Sequence, residues 1–115
     1  MKIKTPEASL DFNAGVITLK NISKYSFMSM FYDVQISIQS ALKRFANEQE
    51  ESSYYNIRDV YYLMQKKINQ PKQHYFISFT IPQSRSIVKH FSHCNVSSGT
   101  LEIYSILDQK LPRFK

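Results

Sequence analysis

Tyr75-Phe-Ile-Ser-Phe-Thr-Ile81 is the stretch on which the fold turns. Tyr75, Ile77, Phe79 and Ile81 alternate with Phe76, Ser78 and Thr80, the period of a β-strand with one face buried. Pro82 ends the strand, because it has no N–H to give to a ladder. Ser84 then stands where it can cap a short helix carrying Ile87, Val88 and Phe91. Asn95 to Gly99 reads as a loop in which Gly99 helps the turn. Leu101-Glu-Ile-Tyr-Ser-Ile-Leu107 reads as a final strand. Strand, helix and strand in succession make a βαβ unit, which requires a parallel pair and a right-handed crossover.

Toward the N-terminus the period changes. Ile57, Val60, Tyr61, Met64 and Ile68 share one face of a helix over 55–69, with Asn56 and Asp59 as a loose capping pair and Pro71 as its stop. The polar run Asn47-Glu-Gln-Glu-Glu-Ser-Ser53 reads as the loop before it. Phe27, Met30, Phe31, Val34, Ile38, Leu42 and Phe45 recur at three- and four-residue steps, which predicts a long helix over 26–47 capped by Ser23 or Ser26. Earlier still, Leu10 and Phe12 alternate with polar neighbours, Asn13-Ala14-Gly15 supplies a turn, and Val16 to Ile22 is rich in β-branched residues. These make a β-hairpin. The expected architecture is one α/β domain over residues 1–115. It has an N-terminal hairpin, long helices and a C-terminal βαβ unit joined in a mixed four-stranded sheet.

At 115 residues the chain holds one core, and 43% hydrophobic with 21% charged residues is the balance of a globular domain rather than a disordered chain. With only two glycines, no phosphate-cradling glycine loop can be written, which excludes most classical nucleotide-binding enzymes. The single Cys94 cannot form an internal disulfide, and the N-terminus lacks the apolar core of a signal sequence. The expected setting is therefore reducing and cytoplasmic, with no membrane partner, since no apolar run approaches the ~18 residues that span a bilayer.

Three patterns bear on chemistry. His90-x-x-His93-Cys94 places three possible zinc ligands on one helical face, but a fourth is missing nearby, so neither a metal nor a cofactor is expected. Arg85 and His90 share the spacing of an RNase motif of all-helical HEPN domains, which the strands contradict. No carboxylate pair or oriented nucleophile stands out, so the chain reads as a non-enzyme. The net charge of +6 points to acidic partners. Lys66, Lys67, Lys72 and His74 are interleaved with Tyr54, Tyr55, Tyr61, Tyr62 and Tyr75, and Arg113 adds charge in the tail. Cations beside aromatics suit single-stranded nucleic acid, so a small basic nucleic-acid-binding module is one function class. A phage or mobile-element inhibitor or immunity-type protein is another.

Thr5-Pro6-Glu7, Leu10-Asp11-Phe12, Gly15, the Val16–Leu19 strand, Ser23 and Phe31-Tyr32 together resemble the opening of the SiaC-type bacterial regulatory phosphoproteins. The resemblance is carried mainly by residues 5–32. It implies a STAS-like two-layer fold and a non-enzymatic regulatory protein acting by protein–protein interaction. In that family the partner is a diguanylate cyclase, and a Ser/Thr kinase and phosphatase control the contact. The family's phosphorylated position falls on Ser84 and its neighbouring hydroxyl on Ser86. A phosphate on Ser84, at the expected first turn of a helix, is then expected to leave the fold intact and to repel a partner.

Overall fold

The computed structural model describes residues 5–40, 48–92 and 96–112. Strands β1 (Glu7–Asp11) and β2 (Val16–Ser23) form the expected hairpin. The Asp11 carbonyl accepts from Gly15 N–H at 2.8 Å, its side chain accepts from Ala14 N–H at 3.0 Å, and Gly15 takes φ 68°, a conformation that glycine adopts without a Cβ penalty. Helices α1 (Lys24–Ser40) and α2 (Glu48–Ile68) follow, then β3 (His74–Thr80), α3 (Ile81–Phe91) and α4 (Ser98–Lys110).

The three strands lie in the order β1-β2-β3, all antiparallel. Between Leu19 and Ile22 the register shifts, and Asn21 sits at φ 58° in the bulge this makes. Ile17, Leu19, Ile22, Tyr75, Ile77 and Phe79 point to one face and are buried beneath the helices. Phe27, Met30 and Val34 of α1, Val60 and Met64 of α2, Ile87 of α3 and Ile103 and Leu107 of α4 complete the core. Phe27 stacks on Tyr75 with ring centroids 4.2 Å apart, tying α1 to the sheet. The other face carries Ser9, Thr18 and Ser78 in register across the strands, with Thr18 and Ser78 hydroxyls 2.9 Å apart.

The α/β class stands, but the C-terminal expectation is corrected. Leu101–Leu107 is helix, so no βαβ unit and no parallel pair form, and the sheet among the described residues has three antiparallel strands rather than four mixed ones. Burial explains why. Thr100, Ile103 and Leu107 are buried and Leu101 is half exposed, which is a three- and four-residue step rather than alternation. A strand would also have turned Ser105 to the core side.

Helix boundaries shift for related reasons. Thr80, not Ser84, caps α3. Its Oγ1 accepts from Gln83 N–H at 3.2 Å while Gln83 Oε1 accepts from Thr80 N–H at 2.9 Å, a capping box with Pro82 in the first turn. The expected loop before α2 is helix from Glu48, leaving Asn47 outside the described residues. Glu50 and Glu51 favour helix and suit the positive end of its dipole. Asn56 is thus interior rather than a cap. Ser23 does cap α1, accepting from Ser26 N–H at 3.2 Å. Leu42 and Phe45, expected on the same helix, also lie outside the described residues.

Candidate functional site

The two candidate phosphorylation sites are both buried on α3, about 200° apart around the helix. Ser84 is fully buried and its hydroxyl has no hydrogen-bond partner among the described residues. Ser86 is buried too, and its hydroxyl accepts from Asn56 Nδ2 of α2 at 3.0 Å. Neither is offered to an enzyme on the folded surface, and a phosphate on either would require α3 to lift from the core.

The basic group gathers around the α2–β3 connection. Lys66 and Lys67 stand in the last turn of α2, where cations complement the helix dipole. Lys72 is exposed in the connection, and His74 opens β3 opposite Ser23. Lys24 joins them, because its N–H donates to the Gln73 carbonyl at 2.9 Å. Lys67 Nζ lies 5.3 Å from the Phe76 ring centroid, a cation–π contact on an exposed ring. Tyr75 is absorbed into the core and is not part of this surface. Arg113 lies outside the described residues.

His93 and Cys94 also lie outside the described residues, and among those described no three His, Cys, Asp or Glu side chains converge on a metal position. His90 is spoken for in part: its Nε2 is 2.7 Å from Ser37 Oγ, joining α3 to α1. Arg85, five residues earlier on α3, donates to the Pro112 carbonyl at 3.2 Å.

A different surface emerges from α1 and α2. Lys24 and Asp33 are the only charged residues in α1. Its inner stripe is core, while Tyr25, Tyr32 and Ile36 recur at seven- and four-residue steps on the outer side, 63%, 54% and 60% exposed. Beside them a cleft of about 180 Å³ opens between the helices. Gln35, Ile38 and Gln39 of α1 form one wall, and Tyr54, Arg58, Tyr61 and Tyr62 of α2 form the other. Its floor is stiff. Tyr61 stacks on the buried Phe31 at 5.1 Å, and Tyr62 meets Tyr61 edge-on at 5.6 Å. The Arg58 guanidinium lies 4.7 Å over the Tyr55 ring, with its Nε buried and unpartnered among the described residues. Its ion pair with Asp59, at 3.9 Å, is long and exposed.

Among the described residues the arrangement is a concave, aromatic patch whose lining carries one charged side chain, Arg58. Tyr54, Tyr61 and Tyr62 were visible in the sequence beside cations, but their groove partners Gln35 and Gln39, and the outer residues Tyr32 and Ile36, were not. The signal for the latter was a second apolar recurrence on α1, offset from the core stripe.

With this geometry in view, no known protein family, no curated protein and no solved structure matches the chain. The fold class, an α/β domain with a three-stranded antiparallel sheet under four helices, is what the described residues define. No helix among them is long and apolar enough to cross a membrane.

Proposed function

We propose that the chain is a non-enzymatic interaction module that docks a partner protein on the tyrosine-rich face of α1 and α2. The observation that carries this is the outer side of α1: Tyr25, Tyr32 and Ile36 remain exposed on a helix with two charges in 17 residues. Interface centres are depleted in charge and enriched in Tyr and Arg, and exposed apolar patches mark binding sites. The rigid rings of Tyr61 and Tyr62 lose little entropy on binding. A photo-crosslinking amino acid at Ile36 tests the reading, with one at Ser9 on the opposite face as control. A discrete protein adduct from position 36 alone, lost in the Tyr32→Ala/Tyr62→Ala variant, is expected. Equal labelling from both positions overturns the assignment. The SiaC-type resemblance supports the same class of function and would make that partner a diguanylate cyclase. Phosphorylation control through Ser84 and Ser86 draws no support from their burial.

A second reading rests on the basic corner, where Lys67 covers the exposed Phe76 ring, with Lys66 beside it in the last turn of α2 and Lys72 and Lys24 at the α2–β3 connection. Single-stranded nucleic acid would place a base on that ring and phosphates on the lysines. Fluorescence anisotropy against single-stranded RNA and DNA decides it. Binding at about 50 mM salt that weakens steeply as salt rises supports it, and no binding at that salt ends it.

A further inference from the structure

We infer that the cleft between α1 and α2 receives an acidic side chain of the partner protein, whose carboxylate pairs with Arg58. The inference rests on the reading of this face as a protein-docking surface, and it names what the partner must present there. Arg58 is the one charged side chain in the cleft lining among the described residues. A guanidinium carries five N–H donors in a planar fork that matches a carboxylate. Its Nε is buried and has no acceptor among the described residues. Its contact with Asp59 spans 3.9 Å, beyond hydrogen-bond reach, because adjacent residues on a helix point in different directions.

The fork is already placed for an incoming acceptor. Tyr55 covers one face of the guanidinium at 4.7 Å, which leaves the edge, where the N–H bonds point, for a group lying in its plane. The side chain stays 41% exposed while Nε–H has lost its water, so a carboxylate that reaches the fork restores a bond there at little further desolvation cost. Tyr61 is held on Phe31 at 5.1 Å, so the aromatic wall needs little ordering on binding.

Size and charge select the occupant. The cleft holds about 180 Å³, below the ~300–1,000 Å³ of sites that bury a small-molecule ligand, so it suits a single side chain. A lysine or arginine would be repelled by Arg58, and an apolar side chain would leave desolvated donors unmet. A phosphate carries close to two negative charges and draws on several cations or on the N–H groups of a helix N-terminus. Here one cation stands in mid-helix with Asp59 beside it. One carboxylate matches one guanidinium. The net charge of +6 steers an acidic partner toward the chain.

The test uses heptapeptides acetylated and amidated at their ends, so that no terminal carboxylate competes. A fully randomised library is selected on the immobilised chain and counter-selected on Tyr32→Ala/Tyr62→Ala. The best face-dependent peptide is measured by fluorescence anisotropy at ~0.15 M salt, where long-range attraction is screened. It should carry Asp or Glu, and changing that residue to Asn or Gln should weaken binding at least about tenfold. Arg58→Gln should cause the same loss. Lys66→Gln removes the same charge eight positions later on α2, outside the cleft, and should change affinity by less than about twofold. Arg58→Glu should recover binding to a peptide whose acidic residue is changed to Lys. Circular dichroism monitors the variants, and the Arg58 Nε–H resonance of the wild type gives a reading free of any folding defect, since it should shift and gain exchange protection when the peptide is added. A face-dependent peptide without an acidic residue, an equal loss in Lys66→Gln, or an unmoved Nε–H resonance overturns the inference and leaves the docking face standing. A library with no face-dependent binder also overturns it, and the crosslinking at Ile36 then decides the face by itself.

Discussion

A Cβ placed on Gly99 would stand 2.8 Å from Ser26 Cα and 2.8 Å from Ser29 Oγ. Helix α4 therefore crosses α1 at a distance that only glycine permits, and this crossing holds Ile103 and Leu107 in the core. The contact at Ser26 is with backbone and cannot be relieved by a rotamer change. Gly99→Ala should destabilise the chain by about 1–3 kcal/mol, the range for overpacking, despite alanine's better helix propensity. Thermal unfolding checks this, and an unchanged or raised midpoint would show that the helices separate freely.

Asp33 holds the start of α4 from α1. Its Oδ2 accepts from Ser97 N–H at 3.3 Å, from Ser97 Oγ at 3.0 Å and from the buried Thr100 hydroxyl. Ser97 is the N-cap of α4 but makes no cap bond with its own side chain; the Asp33 carboxylate instead ties the cap residue and the Thr100 hydroxyl to α1. Asp33→Ala should cost about 1–3 kcal/mol, because three hydrogen bonds to one carboxylate are lost and the buried Thr100 hydroxyl keeps only Ser97 Oγ, at 3.0 Å. Urea denaturation measures it, and a loss below about 0.5 kcal/mol would contradict this anchoring role, since that is the range of ordinary surface substitutions.

Ser84 separates a buried hydroxyl from a regulatory one. Ser84→Ala should be neutral or slightly stabilising, since the hydroxyl makes no hydrogen bond among the described residues. Ser84→Asp should unfold the chain or cost at least about 3 kcal/mol, because a carboxylate would be buried without a partner. This reverses the expectation that a negative charge here leaves the fold intact. Side-by-side melting curves decide it, and a fully folded Ser84→Asp protein would return the site to the surface and to the phosphoprotein reading.

Thr80→Ala removes one half of the box that starts α3 and should cost about 0.5–2 kcal/mol. Thr80→Ser keeps the acceptor and should recover most of that loss. Chemical denaturation of the two variants checks it, and equal stabilities would place the start of α3 elsewhere.

What the sequence disclosed follows its periodicities. The hairpin was legible because Gly15 and the alternation on either side agree. The core face of α1 was legible because Phe27, Met30, Phe31 and Val34 repeat at helical steps. Leu101–Leu107 misled because Leu101, Ile103 and Leu107 satisfy an alternating pattern and Thr100, Ile103 and Leu107 satisfy a helical one. Ser105, which a strand would have turned to the core, was the signal against alternation, and the close approach at Gly99, a tertiary fact, fits the helix. Ser84 misled because a serine two residues after Pro82 looks like a cap, while the true cap, Thr80, reads as the end of a strand. The candidate site was half visible: its tyrosines stood beside cations, but its cleft depends on how two helices pack.

The central claim is that the outer face of α1 and α2 binds a protein. The most direct test is the affinity of the partner captured at Ile36 for Tyr32→Ala/Ile36→Ala against wild type, measured by isothermal titration calorimetry. Both residues are more than half exposed, so folding stability should change by no more than about 0.5 kcal/mol per site. Affinity should fall at least about tenfold, which corresponds to ~1.4 kcal/mol. A doubly substituted chain that folds normally and binds that partner as tightly as wild type would contradict the claim.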